Sequence, residues 1–252
     1  MYKILANTLF IGKKLVFVPE CHSTNSVTLE LSQKQDLPEG TIIITNHQFR
    51  GRGQQGNAWI SEQGKNLTFS IVLKPTFLAI KDHFALNMVI SLGVRDFVHS
   101  KLPSKAFVKW PNDVLLDERK VCGILIENQI QGNGFTNSIA GIGLNVNQGG
   151  FHLNNAVSLS MASGQKYELQ GSLEELCGYI EKWYVTLRQK GVERVRESYL
   201  TTLFGLGQSR FFRSKEREFE GVINGVDDHG RLMIQANGNI HHFSNKEVQF
   251  NL

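Results

Sequence analysis

Gln48-Phe49-Arg50-Gly51-Arg52-Gly53-Gln54-Gln55-Gly56-Asn57-Ala58-Trp59 follows an apolar run, Thr41-Ile42-Ile43-Ile44-Thr45, that Gly40 bounds. The run reads as a buried strand. In the loop after it, three glycines let the backbone turn sharply and come close to a ligand, because no Cβ stands in the way. Successive backbone N–H groups in such a loop can form an anion-binding concavity. Arg50 and Arg52 add planar cationic donors suited to phosphate or carboxylate. The loop therefore reads as an anion holder, although the same residues also suit a solvated surface loop. No Gly-Lys-Ser/Thr follows, so it is not a Walker loop.

Outward from this loop, the bulk numbers bound the answer. At 252 residues the chain has room for one large domain, or one domain with a small second one. A hydrophobic content of 41% and a charged content of 20% are ordinary for a chain with a real core. The net charge of +4, from 27 basic and 23 acidic side chains, suits anionic ligands and is too mild for a nucleic-acid signature. Cys21, Cys122 and Cys177 lie far apart and form no C-x-x-C, so neither a disulfide framework nor a zinc site is indicated. That usage suits a reducing cytoplasm. His241 and His242 would face opposite sides of a strand and share no metal. No apolar run reaches the roughly 18 residues of a membrane span. Residues 1–12 lack a cleavage-site pattern and read as part of the fold.

In chain order, Leu15 to Val18 predicts a short strand ending at Pro19. Ser26 to Gln35 predicts a helix that Ser23 or Thr24 caps, unless those hydroxyls face the glycine loop and bind ligand. Asn66 to Leu73 is a strand, and Ile80 to Leu102 one long amphipathic core helix. Strands at 106–110, 114–116 and 120–127 suggest a hairpin. The glycines in Ser138 to Asn147 mark a strand that another backbone or a flat ligand approaches closely. Residues 158–204 read as helical, with a capping box of Ser172 and Glu175. Gly205-Leu206-Gly207 is the expected domain boundary. Beyond it, short strands joined by turns, one at Asn237-Gly238 with the type I′ signal, predict a small β-barrel.

Four motifs stand in order along the chain. They are Ser23-Thr24-Asn25, Gln48 through Trp59, Lys109-Trp110-Pro111-Asn112-Asp113 with Lys120-Val121-Cys122-Gly123-Ile124-Leu125-Ile126-Glu127, and Gly141-Ile142-Gly143-Leu144-Asn145-Val146-Asn147. Together they resemble the biotin protein ligases, the biotin–[acetyl-CoA-carboxylase] ligases, over nearly the whole chain. The resemblance implies an α+β fold: a mixed β-sheet flanked by helices, similar to the class II aminoacyl-tRNA synthetases, with a small C-terminal SH3-like β-barrel. Residues 1–206 would be the catalytic domain and 207–252 the barrel. The implied reaction joins biotin to ATP, with Mg²⁺, to give biotinyl-5′-AMP and pyrophosphate. Biotin then passes to one lysine of the biotin carboxyl carrier domain of acetyl-CoA carboxylase.

Carried over by position, biotin would meet Ser23, Thr24, Asn25, Gln48, Gly51, Arg52, Lys109, Gly123 and Gly141. ATP or the adenylate would meet Arg52, Gly53, Gln54, Gln55, Asn57, Trp59, Asn112, Lys120 and Asn145. Lys109 and Arg52 would carry the catalysis, and no metal ligands are assigned. The residue types suit the chemistry: attack of a carboxylate on an α-phosphate brings two anions together, which Lys109, Arg52 and Mg²⁺ would screen. The mixed-anhydride product is water-sensitive, so the loop from Gly51 to Gly56 is the expected lid. Asp113 is either a group that orients the acceptor lysine or a turn residue.

The sequence departs from the family pattern in two places. Many relatives read G-R-G-R-R-G where Gln54-Gln55 stand here, which predicts a looser hold on the adenylate. Some relatives begin with a helix-turn-helix domain that represses transcription, and the strand near Leu15 leaves no room for one, so no DNA binding is expected. No membrane partner is expected either, and a monomer and a homodimer both fit. A lipoate or octanoate ligase of the same fold is the nearest alternative, and it lacks K-W-P-N-D in this setting. A nucleotide or nucleic-acid binding module is the alternative from another class, and no basic stripe with interleaved aromatics supports it.

Overall fold

Ile42, Ile43 and Ile44 are fully buried, because the strand they form is covered on both faces. The computed structural model describes residues 2–103, 105–151, 155–215 and 217–251. In it the isoleucines open β2 (Ile42–Gln48), which runs parallel to β1 (Leu15–Cys21) and antiparallel to β3 (Leu67–Leu73). Four more strands complete the sheet: β4 (Ala106–Lys109), β5 (Asp113–Leu116), β6 (Arg119–Gln131) and β7 (Gly134–Leu144). The order is β1-β2-β3-β7-β6-β5-β4, a mixed seven-stranded sheet. β1 continues three residues beyond the expected stop at Val18, through Pro19, still paired to β2.

Helices cover both faces. On one side Ile43 and Val72 pack with Leu37, Val27 and Leu31 beside α1 (Thr24–Lys34). On the other, Ile42 and Ile44 join the main core with α2 (Phe84–Lys101) and α4 (Leu169–Thr201). The helix expected over 80–102 begins with a separate 3₁₀ turn (Ile80–Asp82). Gly93 of α2 lets the two long helices touch, since a Cβ there would stand 2.7 Å from Ile180 Cα. The helical stretch expected over 158–204 is two helices, α3 (Leu159–Ser163) and α4, and α4 kinks at Gly191. The expected capping box at Ser172 does not start α4. Glu168 does, accepting from the Gln170 and Gly171 N–H groups, and Ser172 lies buried inside the helix. Residues 2–12 belong to the fold as expected: Leu5 and Ile11 are fully buried, and Glu181 accepts from the N–H groups of Leu9, Phe10 and Ile11.

Past Gly205 and Gly207, both at positive φ, a second sheet forms. It comprises β8 (Ser209–Ser214), β9 (Glu218–Val226), β10 (Leu232–Ala236), β11 (Asn239–Phe243) and β12 (Val248–Phe250). All pairs are antiparallel, in the order β11-β10-β9-β8-β12, as an SH3-like unit requires. Among the described residues no ladder joins β11 to β12, so the expected barrel is a sheet without a closing seam. Asn237 (φ 51°) and Gly238 (φ 78°) make the β10–β11 turn with the left-handed backbone the sequence signal requires. All three cysteines are buried and unpaired. Among the described residues no helix is long and apolar enough to cross a membrane.

Candidate active site

The glycine loop folds back on itself. Trp59 N–H donates to Gly51 O (2.9 Å) and Gly53 N–H to Asn57 O (2.6 Å), closing on a 3₁₀ turn at Gln54–Gly56. The glycine spacing matches the letters of a dinucleotide fingerprint, yet this one turn stands where that motif opens a helix. Gly51 is required, because a Cβ there would lie 2.2 Å from Trp59 O. The loop forms one wall of an open cavity of about 570 Å³ at the sheet.

The cavity floor is polar and buried. Ser23, Thr24 and Asn25 at the start of α1 are each 3% exposed. Ser23 occupies the N-cap position but its hydroxyl makes no cap bond, so the expected capping role falls away and the side chain lines the cavity. Gln48 Oε1 instead accepts from Thr24 N–H (2.7 Å) and lies 3.2 Å from Thr24 Oγ1. Ser70 Oγ donates to Asn25 Oδ1 (2.6 Å) and sits 2.8 Å from Thr24 Oγ1. Asn25 Nδ2 donates to Leu125 O (3.1 Å) and Glu127 Oε2 (2.8 Å). Mutual hydrogen bonds fix these buried groups before any ligand arrives.

The strand glycines admit side chains, where the sequence reading expected a backbone or a flat ligand. A Cβ at Gly143 would lie 2.3 Å from the Trp59 indole, and one at Gly123 2.9 Å from it. The indole therefore lies against the β6–β7 pair, where Gly123 and Gly143 stand opposite each other. A Cβ at Gly141 would meet Asn25 Oδ1 at 2.4 Å. Lys120 Nζ stands 5.6 Å from the Trp59 ring centroid.

Cations outnumber free anions here. Arg52 Nη2 donates to Glu127 Oε2 (2.8 Å) and Oε1 (3.0 Å). Lys120 Nζ lies 2.7 Å from Asp113 Oδ1, an ion pair made without hydrogen-bond alignment. Glu118 pairs with Arg210 (3.4 Å). Lys109, opposite Asp113 across the β4–β5 turn, makes no ion pair and donates no side-chain hydrogen bond among the described residues. Burial lowers its pKa from the ordinary lysine value; Asp113 opposes that shift and Lys120 reinforces it. Among the described residues no group of three His, Cys, Asp or Glu could cage a metal. The three carboxylates Glu127, Asp113 and Glu118 are already engaged in ion pairs, so they offer no preset cage for Mg²⁺.

Of the residues singled out from sequence, Ser23, Thr24, Asn25, Gln48, Arg52, Gly53, Gln54, Asn57, Trp59, Lys109, Asn112, Lys120, Gly123 and Gly141 all line this cavity. Gly51 is not among the lining residues. Asn145 lies outside the lining, 2% exposed, with Nδ2 donating to Val157 O (3.2 Å). The Gln55 side chain lies outside the described residues. Sequence reading missed Ser70 and the part played by Glu127, although Glu127 closes the K-x-x-G-I-L-x-E motif. It also missed Asn245 and Lys246, from the β11–β12 turn, which complete the wall. Asn245 Nδ2 donates to Gln54 Oε1, tying the second sheet to the glycine loop. Nothing local in the sequence at 245–246 signals this.

A sequence model of the Biotin/lipoate A/B protein ligase family matches residues 18–147. The chain is 27% identical over 247 residues to the bifunctional ligase/repressor BirA of Bacillus subtilis (strain 168), covering 96% of this chain and 75% of that protein. It is 29% identical over 222 residues to the biotin–[acetyl-CoA-carboxylase] ligase of Paracoccus denitrificans, covering 85% of this chain and 91% of that one. Among solved structures, the biotin protein ligase from Aquifex aeolicus in complex with biotin and ATP superposes with a TM-score of 0.79 at 24% identity, over 95% of this chain and 100% of that one.

Proposed function

The chain belongs to the biotin/lipoate A/B protein ligase family, and on that premise we propose that it is a biotin protein ligase. It joins biotin to ATP, giving biotinyl-5′-AMP and pyrophosphate, and passes biotin to a lysine of the biotin carboxyl carrier domain of a carboxylase. The observation that carries this reading is the polar floor of Ser23, Thr24, Asn25 and half-buried Gln48, backed by buried Ser70, in one cavity with the cations Lys109 and Arg52. A ureido ring brings two N–H donors and a carbonyl acceptor to such a floor. A dithiolane or an octanoyl tail brings none, and would cover this polar floor without returning a hydrogen bond to it.

In the first step a biotin carboxylate oxygen attacks the α-phosphorus of ATP. One P–O bond forms, the α–β bridge breaks, and pyrophosphate leaves. Lys109 and Arg52 lower the repulsion between the two anions, and Mg²⁺ carried on the phosphates supplies further charge neutralisation. Trp59, Asn57 and Gln54 are the natural side chains for the adenylate side of the cavity, with Asn112 and Lys120 beside it. In the second step an acceptor lysine, having lost its proton, attacks the acyl carbon and AMP leaves. Asp113 is engaged by Lys120, which favours a role in holding Lys120 over one as a free base.

Residues 1–206 are proposed as the catalytic unit and 207–252 as a second unit that completes its wall. Three buried, unpaired cysteines suit the cytoplasm. The test is biotin-dependent exchange of labelled pyrophosphate into ATP with Mg²⁺, beside lipoate and octanoate. Exchange with biotin alone is expected. Exchange with lipoate or octanoate instead would move the protein to a sister activity of the family.

A further inference from the structure

Lys109 ends β4 with its ammonium at the cavity wall, and Phe250 faces it from behind. Lys109 Nζ lies 5.2 Å from the centroid of the Phe250 ring, within the range of a cation–π contact. Phe250 belongs to the edge strand β12 of the second sheet and does not line the cavity itself. Its ring is held in place. Phe212, fully buried, meets it edge-on at 5.4 Å, Phe204 at 6.4 Å, and the Phe250 backbone pairs with Phe212 in β8. A fixed ring behind an ammonium that makes no ion pair is an arrangement that places a charge.

We propose that Phe250 is a positioning residue for adenylate formation, its ring face seating the Lys109 ammonium at the cavity wall. The inference rests on the reading of Lys109 as the group that screens the reacting anions. The charged groups facing Lys109 are Asp113 on β5 and Lys120 on β6. Beside them are Glu118 with its partner Arg210 of β8, Lys246 of the β11–β12 turn, and the Arg52–Glu127 pair across the cavity. Burial works against the charged form of Lys109 and Lys120 adds repulsion, while Asp113 works the other way. The electron-rich ring face adds to the Asp113 side.

The experiment uses the full chain and reads biotin-dependent pyrophosphate–ATP exchange from pH 6 to pH 10, with kcat and the KM for ATP measured separately. Phenylalanine at 250 is replaced by mono-, di- and trifluorophenylalanine, which keep its shape and progressively weaken the ring face; Phe250→Leu and Phe250→Tyr run beside them. The alkaline limb of kcat should move to lower pH with each fluorine, by about 0.5–1 pH unit in total. Phe250→Leu should show the full shift, and Phe250→Tyr should restore the limb. A limb that stays put across the fluorinated series overturns the proposal, even if Phe250→Leu is slow or fails to fold, because loss of rate without the shift is packing alone. Lys109→Ala in the same assay separates the two readings. If it exchanges normally, the site assignment falls and the proposal with it. If it is inactive while the series stays flat, only the role of Phe250 falls.

Discussion

At the scale of the residue, the site depends on a few charges held apart in a confined space. Lys109→Ala should abolish adenylate formation while leaving the melting temperature near that of the parent, since among the described residues the side chain makes no ion pair whose loss would leave a buried charge. Single-turnover adenylate yield checks this, and a normal yield from folded protein would falsify the assignment. Gln54 is the second test. The family resemblance implies a basic residue where the neutral amide of Gln54 stands, so one charged hydrogen bond to the adenylate, worth about 1.5–3 kcal/mol, would be absent. Gln54 is instead tied to Asn245 of the second sheet. Gln54→Arg should slow adenylate dissociation about tenfold or more in stopped-flow measurements, and identical rates would dispose of the idea. Gln54 was legible as a departure from the loop pattern. Its partner was not, because a residue nearly two hundred positions away gives no local signal.

At the scale of the element, two carboxylates each gather several backbone N–H groups. Glu181 on α4 accepts from three consecutive N–H groups of the N-terminal segment, at 2.6, 2.8 and 2.9 Å. Glu181→Ala strands those donors beside a buried Ile11 and should cost about 1–3 kcal/mol, read as a lowered urea midpoint with unchanged slope. Asp227, in the β9–β10 turn, is 12% exposed. Burial alone would raise its pKa. The Arg231 N–H, His242, the Arg231 guanidinium and the His229 N–H together overcome that and hold it at about 2, below the ordinary 3.8. The folded pKa is thus depressed, so this stabilisation is complete above pH 3.8 and is lost as pH falls from there towards 2. Urea midpoints across that range should drop for the parent and stay flatter for Asp227→Asn. Elements with a strong local pattern, such as β2, β3 and the Asn237-Gly238 hairpin, were legible from sequence. The start of α4 was not. The capping box points to Ser172, whereas the helix starts at Glu168, just after reciprocal bonds between Asn147 and Tyr167. The glycines of β7 were legible as close approaches, but Trp59 and Asn25 as the groups that approach them depend on the register of the whole sheet.

At the scale of the whole molecule, the expected boundary at Gly205–Gly207 separates two sheets but does not separate two cores. Phe212, Ile223, Leu232, Ile234 and Val248 of the second sheet belong to the same buried cluster as α2, α4 and Trp110. Trp110 Nε1 donates to Gly230 O (2.8 Å), and a Cβ at Gly230 would lie 2.4 Å from Phe84. The Arg210 guanidinium lies 4.2 Å from the Phe204 ring centroid while pairing with Glu118. Removing the chain after Gly207 would therefore expose a face of residues 1–206, leave the buried Trp110 N–H without an acceptor, take Asn245 from the site wall and take Phe250 from beside the Lys109 ammonium. Several kcal/mol of lost burial and hydrogen bonding corresponds to a fall of roughly 10 °C in Tm for a chain of this size. The truncated protein should melt that much lower and show both half-reactions reduced. Adenylation should suffer first, because Lys109 and the glycine loop each lose a partner. If the shortened chain melts at the parent temperature and runs both half-reactions at the parent rates, the second sheet is an appendage and the shared core has no functional weight. If stability falls but adenylation per folded molecule is unchanged, the sheet supports the fold without shaping the site.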